Sequence, residues 1–225
     1  MKEILNNSLF GISITLIAFE IGTIIYKKVK SPLCSPFILA IIFIISFLVI
    51  FKIPSDSYQK GGSIINMMLT PATSALAISM FHKIKTIKAN FVPIIVGTFV
   101  GSLVSICSII LMCKMFNLDN SITSSMIPKS VTMPIAIDLA EKTGGITPVT
   151  ITCVCITGIF GAIFSPILSK IFKLNNPVSV GLAIGTSSHG VGTAKAIEMG
   201  ETEGALSGIA VGLSGIMTVI IYLFL

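Results

Sequence analysis

Long apolar runs occupy most of this 225-residue sequence, and they decide what the chain can fold into. A bilayer core of about 30 Å needs about 20 apolar residues in helical form. Hydrophobic residues make up 53% of the chain and charged residues only 11%, against about 25% charged in a soluble domain. The chain is therefore predicted to be an all-α integral membrane protein with about six full spans. The runs are Ser8–Tyr26, Pro36–Phe51, Gly61–Phe81, Phe91–Cys113, Ile146–Ser169 and Glu203–Leu225.

Two polar, helix-breaking stretches interrupt the second half of the chain, at residues 128–134 and 185–193. Proline removes a backbone donor and bars the preceding residue from helix, and glycine permits unusual backbone angles. Irregular backbone at membrane depth survives only where it is buried in protein or lines a cavity. The pattern predicts two discontinuous or re-entrant helices, with breaks at Pro128, Pro134, Gly185, Gly190 and Gly192. A weaker interruption at Pro71 is a proline kink or a further polar lining.

The lysines set the orientation, because the chain contains no arginine and its lysines cluster at segment ends. The richest loops are residues 27–30, 82–88 and 170–173, and the positive-inside rule places all three in the cytoplasm. Two full spans and the interrupted segment Ser121–Lys142 separate the second loop from the third. That segment must therefore enter the membrane and return. No basic surface typical of nucleic-acid binding occurs.

A weak internal repeat suggests inverted repeats. Gly101, Gly158 and Gly215 are spaced by 57 residues, and the same offset places Ser130 on Ser187. Chance matches among small residues are the alternative. Inverted repeats with paired broken helices are a common plan of transporters. The chain is interpreted as one membrane domain, residues 1–225, with a scaffold of early spans at 1–114 and a core of two broken-helix units at 118–225.

Candidate solute-binding residues in the first break are Lys129, Ser130 and Thr132. A lysine at the membrane centre costs about 2.5–3.5 kcal/mol, so it usually faces water or an anion. The alternative is a lysine whose side chain snorkels to the interface. Ser130 and Thr132 are suited to bond a ligand or the freed backbone.

In the second break the candidates are Ser187, Ser188, His189 and Thr193. A helix that starts near Gly190 would direct its amides toward an anion. His189 titrates near physiological pH and is suited to couple proton and anion movement. The alternative is a structural histidine that fixes the break by a hydrogen bond.

No enzyme, metal or cofactor site is predicted. Ser188 and His189 are adjacent and cannot face each other as nucleophile and base, and no G-x-S-x-G elbow, phosphate loop or dinucleotide motif occurs. The five cysteines fit no zinc or redox spacing and are interpreted as small apolar packing residues.

The chain resembles the LrgB/CidB family of bacterial membrane proteins, and the likeness covers most of its length. The resemblance rests on residues 128–136, 144–146, 181–185, 188–189 and 192–194, on residues 198, 204–205 and 207, and on upstream matches at 56–58, 60–62 and 71–72. It implies a multi-pass protein of the bacterial inner membrane, described as antiholin-like or holin-associated. It also implies a small LrgA/CidA-type membrane partner. We expect the protein to form a homodimer.

The family implies two functions. One is regulation of murein hydrolase activity and lysis, through the partner or through oligomerisation. The other is transport, because relatives carry small monocarboxylates: pyruvate in bacteria, and glycolate and glycerate in the plastid envelope. The paired broken helices favour transport of a pyruvate- or glycolate-like anion, with or without protons, since a hole-forming protein has little need of them.

Overall fold

A computed structural model describes residues 7–29 and 36–224, and α-helix is the dominant structure of these residues, which contain no strand. Lys30 of the first lysine-rich loop and Cys34 lie outside the described residues. The helices of the described part are α1 (Ser8–Val29), α2 (Pro36–Ile50), α3 (Ser55–Met67), α4 (Leu69–His82), α5 (Ile84–Ala89), α6 (Phe91–Met115), α7 (Asn120–Met126), α8 (Met133–Lys142), α9 (Thr147–Ile171), α10 (Pro177–Met199) and α11 (Glu201–Tyr222). A 3₁₀ turn, Ile127–Ser130, follows α7. The prediction of an all-α membrane protein is confirmed.

Four helices in the described part are long and apolar enough to cross a membrane: α1, α6, α9 and α11. The predicted span Pro36–Phe51 forms the shorter helix α2. The predicted span Gly61–Phe81 is divided between α3 and α4, which meet at Met68. Pro71 lies in the first turn of α4, where its missing N–H leaves no bond unmade. The predicted count of about six full spans is therefore not confirmed.

The chain forms two compact units, and the first ends at Ala75. Within it α1 packs against α2 and α3. Gly11 and Gly61 bring α1 and α3 into backbone contact, since a Cβ on Gly61 would lie 2.6 Å from the Gly11 Cα. The hydroxyls of Thr15 and Tyr58 are 3.0 Å apart across the same contact. Small residues thus hold this unit together by close packing.

The second unit, from Leu76 onward, contains both predicted breaks. Helix α6 belongs to this unit and packs against α10 and α11. The compact units therefore divide earlier in the chain than the predicted scaffold and core do. The scaffold-and-core division stays a prediction.

Helix α10 reverses direction at His189, and we call its two arms hairpin 2. Val180, Ile184 and Ala196 form one buried cluster. In a straight helix Val180 and Ala196 would be separated by about 24 Å at 1.5 Å per residue. The arms therefore lie side by side, and the helical backbone is lost at His189, where φ is 43° and ψ is −144°.

Residues 120–142 also double back, and we call them hairpin 1. Its first arm is α7 with the 3₁₀ turn, and its second arm is α8. The reversal occurs at Val131 and Thr132, which have extended backbone. The Ser125 Oγ of the first arm accepts a hydrogen bond of 2.6 Å from the Ile146 N–H, just beyond the second arm. The segment that was predicted to enter the membrane and return does fold back on itself.

Hairpin 2 starts at the same end of the unit as α6. A Cβ on Gly97 would lie 2.7 Å from Leu182 Cδ2, and one on Gly101 would lie 2.7 Å from Thr186 Cγ2. A step of four residues along α6, from Gly97 to Gly101, moves the contact four residues along α10, from Leu182 to Thr186. Helix α6 and the first arm therefore run parallel. Both begin just after a lysine-rich loop, which agrees with the prediction that these two loops share one side of the membrane.

Hairpin 1 starts at the opposite end. The Ser105 and Ser130 hydroxyl oxygens are 3.0 Å apart, whereas Cys113 clusters with Ile127. A residue later in α6 therefore contacts a residue earlier in the first arm, so α6 and the first arm of hairpin 1 run antiparallel. The hairpins enter the unit from opposite ends, which is the inverted arrangement that the lysine-rich loops predict for the two units of the 57-residue repeat.

The spaced glycines take part in this arrangement. A Cβ on Gly158 of α9 would lie 2.7 Å from His189 Cε1, and one on Gly215 of α11 would lie 2.9 Å from Ile135 Cδ1. One repeat consists of hairpin 1 and α9, and the other consists of hairpin 2 and α11. Each glycine therefore lets the long helix of one repeat approach the hairpin of the other. This reciprocal packing gives the sequence repeat a structural reason.

Candidate functional site

An open cavity of about 690 Å³ lies between α6, the tip of hairpin 1 and the first arm of hairpin 2. All of its lining residues belong to the second compact unit. They are Pro93, Gly97, Val100, Gly101, Val104, Ser105, Ser108, Lys129, Ser130, Ser179, Leu182, Ala183, Thr186 and Ser187. The cavity thus joins both interrupted segments, and Lys129–Ser130 and Thr186–Ser187 occupy equivalent positions at the 57-residue offset.

Hairpin 1 contributes Lys129 and Ser130. The 3₁₀ turn places them at the tip, because Pro128 leaves helical geometry there with φ −81° and ψ 16°. The Lys129 Nζ donates to the Ser130 Oγ at 3.1 Å, and that hydroxyl also contacts Ser105. None of the ion pairs among residues 7–29 and 36–224 includes Lys129. A half-buried ammonium therefore faces the cavity with hydroxyls beside it.

The first arm of hairpin 2 contributes Thr186 and Ser187. Their hydroxyls donate to helix carbonyls one turn earlier, Thr186 to Leu182 and Ser187 to Ala183, each at 2.8 Å. The Ser187 Oγ also lies 3.0 Å from the Ser188 Oγ. Each oxygen still keeps a free lone pair, so these side chains present acceptors to the cavity.

Ser188 and Thr193 point away from this cavity. Ser188 is 2% exposed and packs so tightly against α9 that a Cβ on Gly161 would overlap its hydroxyl. Thr193 donates to the His189 carbonyl at 2.9 Å and lies 2.8 Å from the Ser207 hydroxyl of α11. These hydroxyls fix the fold of hairpin 2 within the structure.

His189 is buried at the reversal of hairpin 2. Its Nε2 lies 3.0 Å from the Val154 carbonyl oxygen of α9, and since a carbonyl only accepts, Nε2 carries the proton. The Val154 side chain packs against Val131 and Ala136 of hairpin 1. Val154 therefore contacts both hairpins, and this geometry is that of a histidine that fixes the break.

The other predicted residues have clear positions. Thr132 is the extended residue before α8, and Pro134 lies in the first turn of that helix. Thr132 does not line the cavity. Gly185 touches α11, where a Cβ would collide with the Ser207 carbonyl, and Gly192 touches the opposite arm of hairpin 2. These contacts explain the two glycines by close packing, because the helical backbone is lost at His189 and not at Gly185 or Gly192, where the break was predicted.

Sequence reasoning missed the wall that α6 supplies. Ser105, Ser108 and Gly97 lie in what reads as an ordinary apolar span. The only available signal was Gly101, which the repeat singled out without showing that it faces Thr186. Side-chain polarity alone does not tell which face of a span meets a cavity.

The described residues contain no group of three or more His, Cys, Asp or Glu that could hold a metal ion. Other lysines of the hairpins have a carboxylate partner: Lys142 lies 2.8 Å from Asp138, and Lys195 lies 2.7 Å from Glu198. Lys129 is therefore distinguished from these lysines by its surroundings.

Comparison with known proteins gives the family. A model of the LrgB-like family matches residues 15–225. The antiholin-like protein LrgB of Bacillus subtilis (strain 168) is 38% identical over 213 residues, which cover 94% of this chain and 92% of that protein. The antiholin-like protein LrgB of Bacillus cereus (strain B4264) is 34% identical over 213 residues, covering 94% and 93%. No solved structure matches the chain. The chain therefore belongs to the LrgB-like family.

Proposed function

We propose that this protein carries small monocarboxylates of the pyruvate or glycolate type across the bacterial inner membrane, and that the anion binds between the two hairpin tips. The observation that carries the proposal is Lys129, whose ammonium faces the cavity and belongs to none of the ion pairs of the described residues. A lysine at membrane depth costs about 2.5–3.5 kcal/mol on insertion scales, and a bound carboxylate would offset that cost.

The other tip residues have supporting roles in this proposal. The Ser130 hydroxyl would help orient the carboxylate, and Thr186 and Ser187 would accept from a solute hydroxyl or a bound water. Ser188, packed against α9, and Thr193, bonded to the His189 carbonyl, would hold the shape of hairpin 2. His189 would sense or carry a proton through local changes in hairpin 2, and Asn in its place would remove any pH dependence of uptake that it causes.

Uptake into vesicles tests the proposal. The purified protein, reconstituted into liposomes with and without the LrgA/CidA-type partner, should take up labelled pyruvate with saturable kinetics. Lys129→Ala should abolish uptake, whereas Lys142→Ala should not, because Lys142 is exposed and paired with Asp138. No uptake above empty liposomes under either condition would refute the carrier.

A second candidate function is regulation of murein hydrolase activity and lysis, acting through such a partner or through a homodimer or larger oligomer. The names of the relatives, which are antiholin-like proteins, favour it. Graded dye leakage that does not saturate and ignores the identity of the solute would support this function. A carrier could still affect lysis indirectly, by changing metabolite or proton balance.

A further inference from the structure

The cavity has one polar end and one apolar end. Gly97 meets Leu182, Gly101 meets Thr186, and Ser105 meets Ser130, so the order along α6 gives the order along the cavity. Lys129, Ser130, Ser105 and Ser108 define the polar end. The other end, apart from Ser179, is lined by Pro93, Gly97, Val100, Leu182 and Ala183.

Few donors remain for a ligand. Thr186 and Ser187 use their hydroxyl protons on helix carbonyls, and Ser108 donates to the Ser105 carbonyl at 2.8 Å. The free donors are therefore the Lys129 ammonium, one proton of the Ser105–Ser130 pair and the Ser179 hydroxyl. That inventory suits one carboxylate at the Lys129 end, because the other end offers a single neutral hydroxyl, Ser179, and no charge for a second carboxylate.

The volume exceeds what a three-carbon acid needs. Such an acid has six heavy atoms and fills less than about 200 Å³ even if each atom takes the roughly 30 Å³ of a water molecule, whereas the cavity measures about 690 Å³. The wall from Ser105 to Gly97 extends for about 12 Å at 1.5 Å per residue. Beyond the carboxylate there is space for an apolar chain against apolar side chains.

We propose that this cavity recognises a single carboxylate attached to an apolar chain, so that short- and medium-chain monocarboxylates bind more tightly than two- and three-carbon acids. The inference rests on the proposed function only in taking this cavity as the solute site. Each methylene that the cavity buries should raise the binding affinity by up to about four-fold, because the transfer of one CH₂ from water to an apolar site changes an equilibrium constant by about that factor.

Equilibrium binding to the protein in lipid nanodiscs tests the inference, with empty nanodiscs subtracted. Acetate, butanoate, hexanoate and octanoate should bind with rising affinity, by about two- to four-fold per methylene until the cavity is full. Hexanamide and adipate, which lack the single charge, should bind at least ten-fold more weakly than hexanoate. Equal affinities along the acid series, or adipate equal to hexanoate, would overturn the inference.

Two matched variants locate the apolar chain. Val100 lines the cavity and is 49% exposed, whereas Val96 lies one turn away on α6, is 53% exposed and does not line it. Val100→Ser should reduce the ratio of hexanoate to acetate affinity at least three-fold, and Val96→Ser should leave it unchanged. Equal effects of the two variants would overturn the placement.

Binding and transport fail separately in this design. A rising acid series without any uptake of pyruvate would support the chain-length inference and refute the carrier. Saturable pyruvate uptake, together with equal affinities for acetate, butanoate, hexanoate and octanoate, would support the carrier and refute the chain-length inference.

Discussion

The reversal of hairpin 2 at His189 makes a sharp prediction about glycine. With φ 43° and ψ −144°, His189 occupies a backbone region that side-chain-bearing residues rarely adopt. Holding a residue with a side chain in such a region costs about 1–3 kcal/mol of folding free energy, whereas glycine adopts it without that strain. His189→Ala and His189→Gly both lose the hydrogen bond to the Val154 carbonyl, so that loss cancels when the two variants are compared. His189→Gly should therefore be more stable than His189→Ala by about 1–3 kcal/mol.

The next residue is the matched control. Gly190 has no positive φ, and a Cβ there would meet nothing within 4 Å. Glycine inside a helix costs about 0.5–1 kcal/mol relative to alanine, so Gly190→Ala should stabilise the protein by that amount. At position 189 the glycine variant should be the more stable one, and at position 190 the alanine variant should be the more stable one.

Unfolding by SDS titration in mixed micelles measures both differences as free energies of unfolding. A difference of 1–2 kcal/mol changes the unfolding equilibrium about 5–30-fold, which such titrations resolve. If alanine is as stable as glycine at position 189, or if the order is the same at positions 189 and 190, helix α10 does not reverse there and the reasoning is wrong.

Two further predictions concern packing. In a background without native cysteines, Ser105→Cys combined with Ser130→Cys should form an intramolecular disulfide on mild oxidation, because the two Oγ atoms are 3.0 Å apart. Peptide mapping that finds the two cysteines unlinked after oxidation would contradict the placement of hairpin 1. In the first compact unit Gly61→Ala should destabilise by about 1–3 kcal/mol, since its Cβ would lie against the backbone of α1. Gly62→Ala, whose Cβ would lie 3.6 Å from the Tyr58 ring, should be neutral or stabilising in the same thermal-unfolding assay.

The sequence predicts the class of fold and the two breaks because both rest on local rules. Apolar length predicts membrane helices, and proline and glycine mark where a helix ends. The doubled-back form of hairpin 1 followed from counting lysine-rich loops. The sharper form of hairpin 2 could not be predicted, since one residue with positive φ makes the reversal and histidine gives no signal for it.

The site could be predicted only in part, because a sequence does not tell which side of a hairpin tip faces the cavity. Lys129, Ser130 and Ser187 line it, whereas Ser188, next in the chain to Ser187, packs against α9. Helical geometry turns adjacent residues to different faces, about 100° apart. Ser105 and Ser108 were hidden for a related reason, since small hydroxyl residues are common in packed membrane helices.

The central claim is that Lys129, held at the tip of hairpin 1, binds a carboxylate in the cavity between the tips. Equilibrium binding of labelled pyruvate to the wild type, to Lys129→Ala and to Lys142→Ala in nanodiscs tests it most directly. We expect the affinity to fall at least ten-fold for Lys129→Ala, the loss of about 1.4 kcal/mol or more, and to stay at the wild-type value for Lys142→Ala. Equal binding by all three proteins would contradict the account.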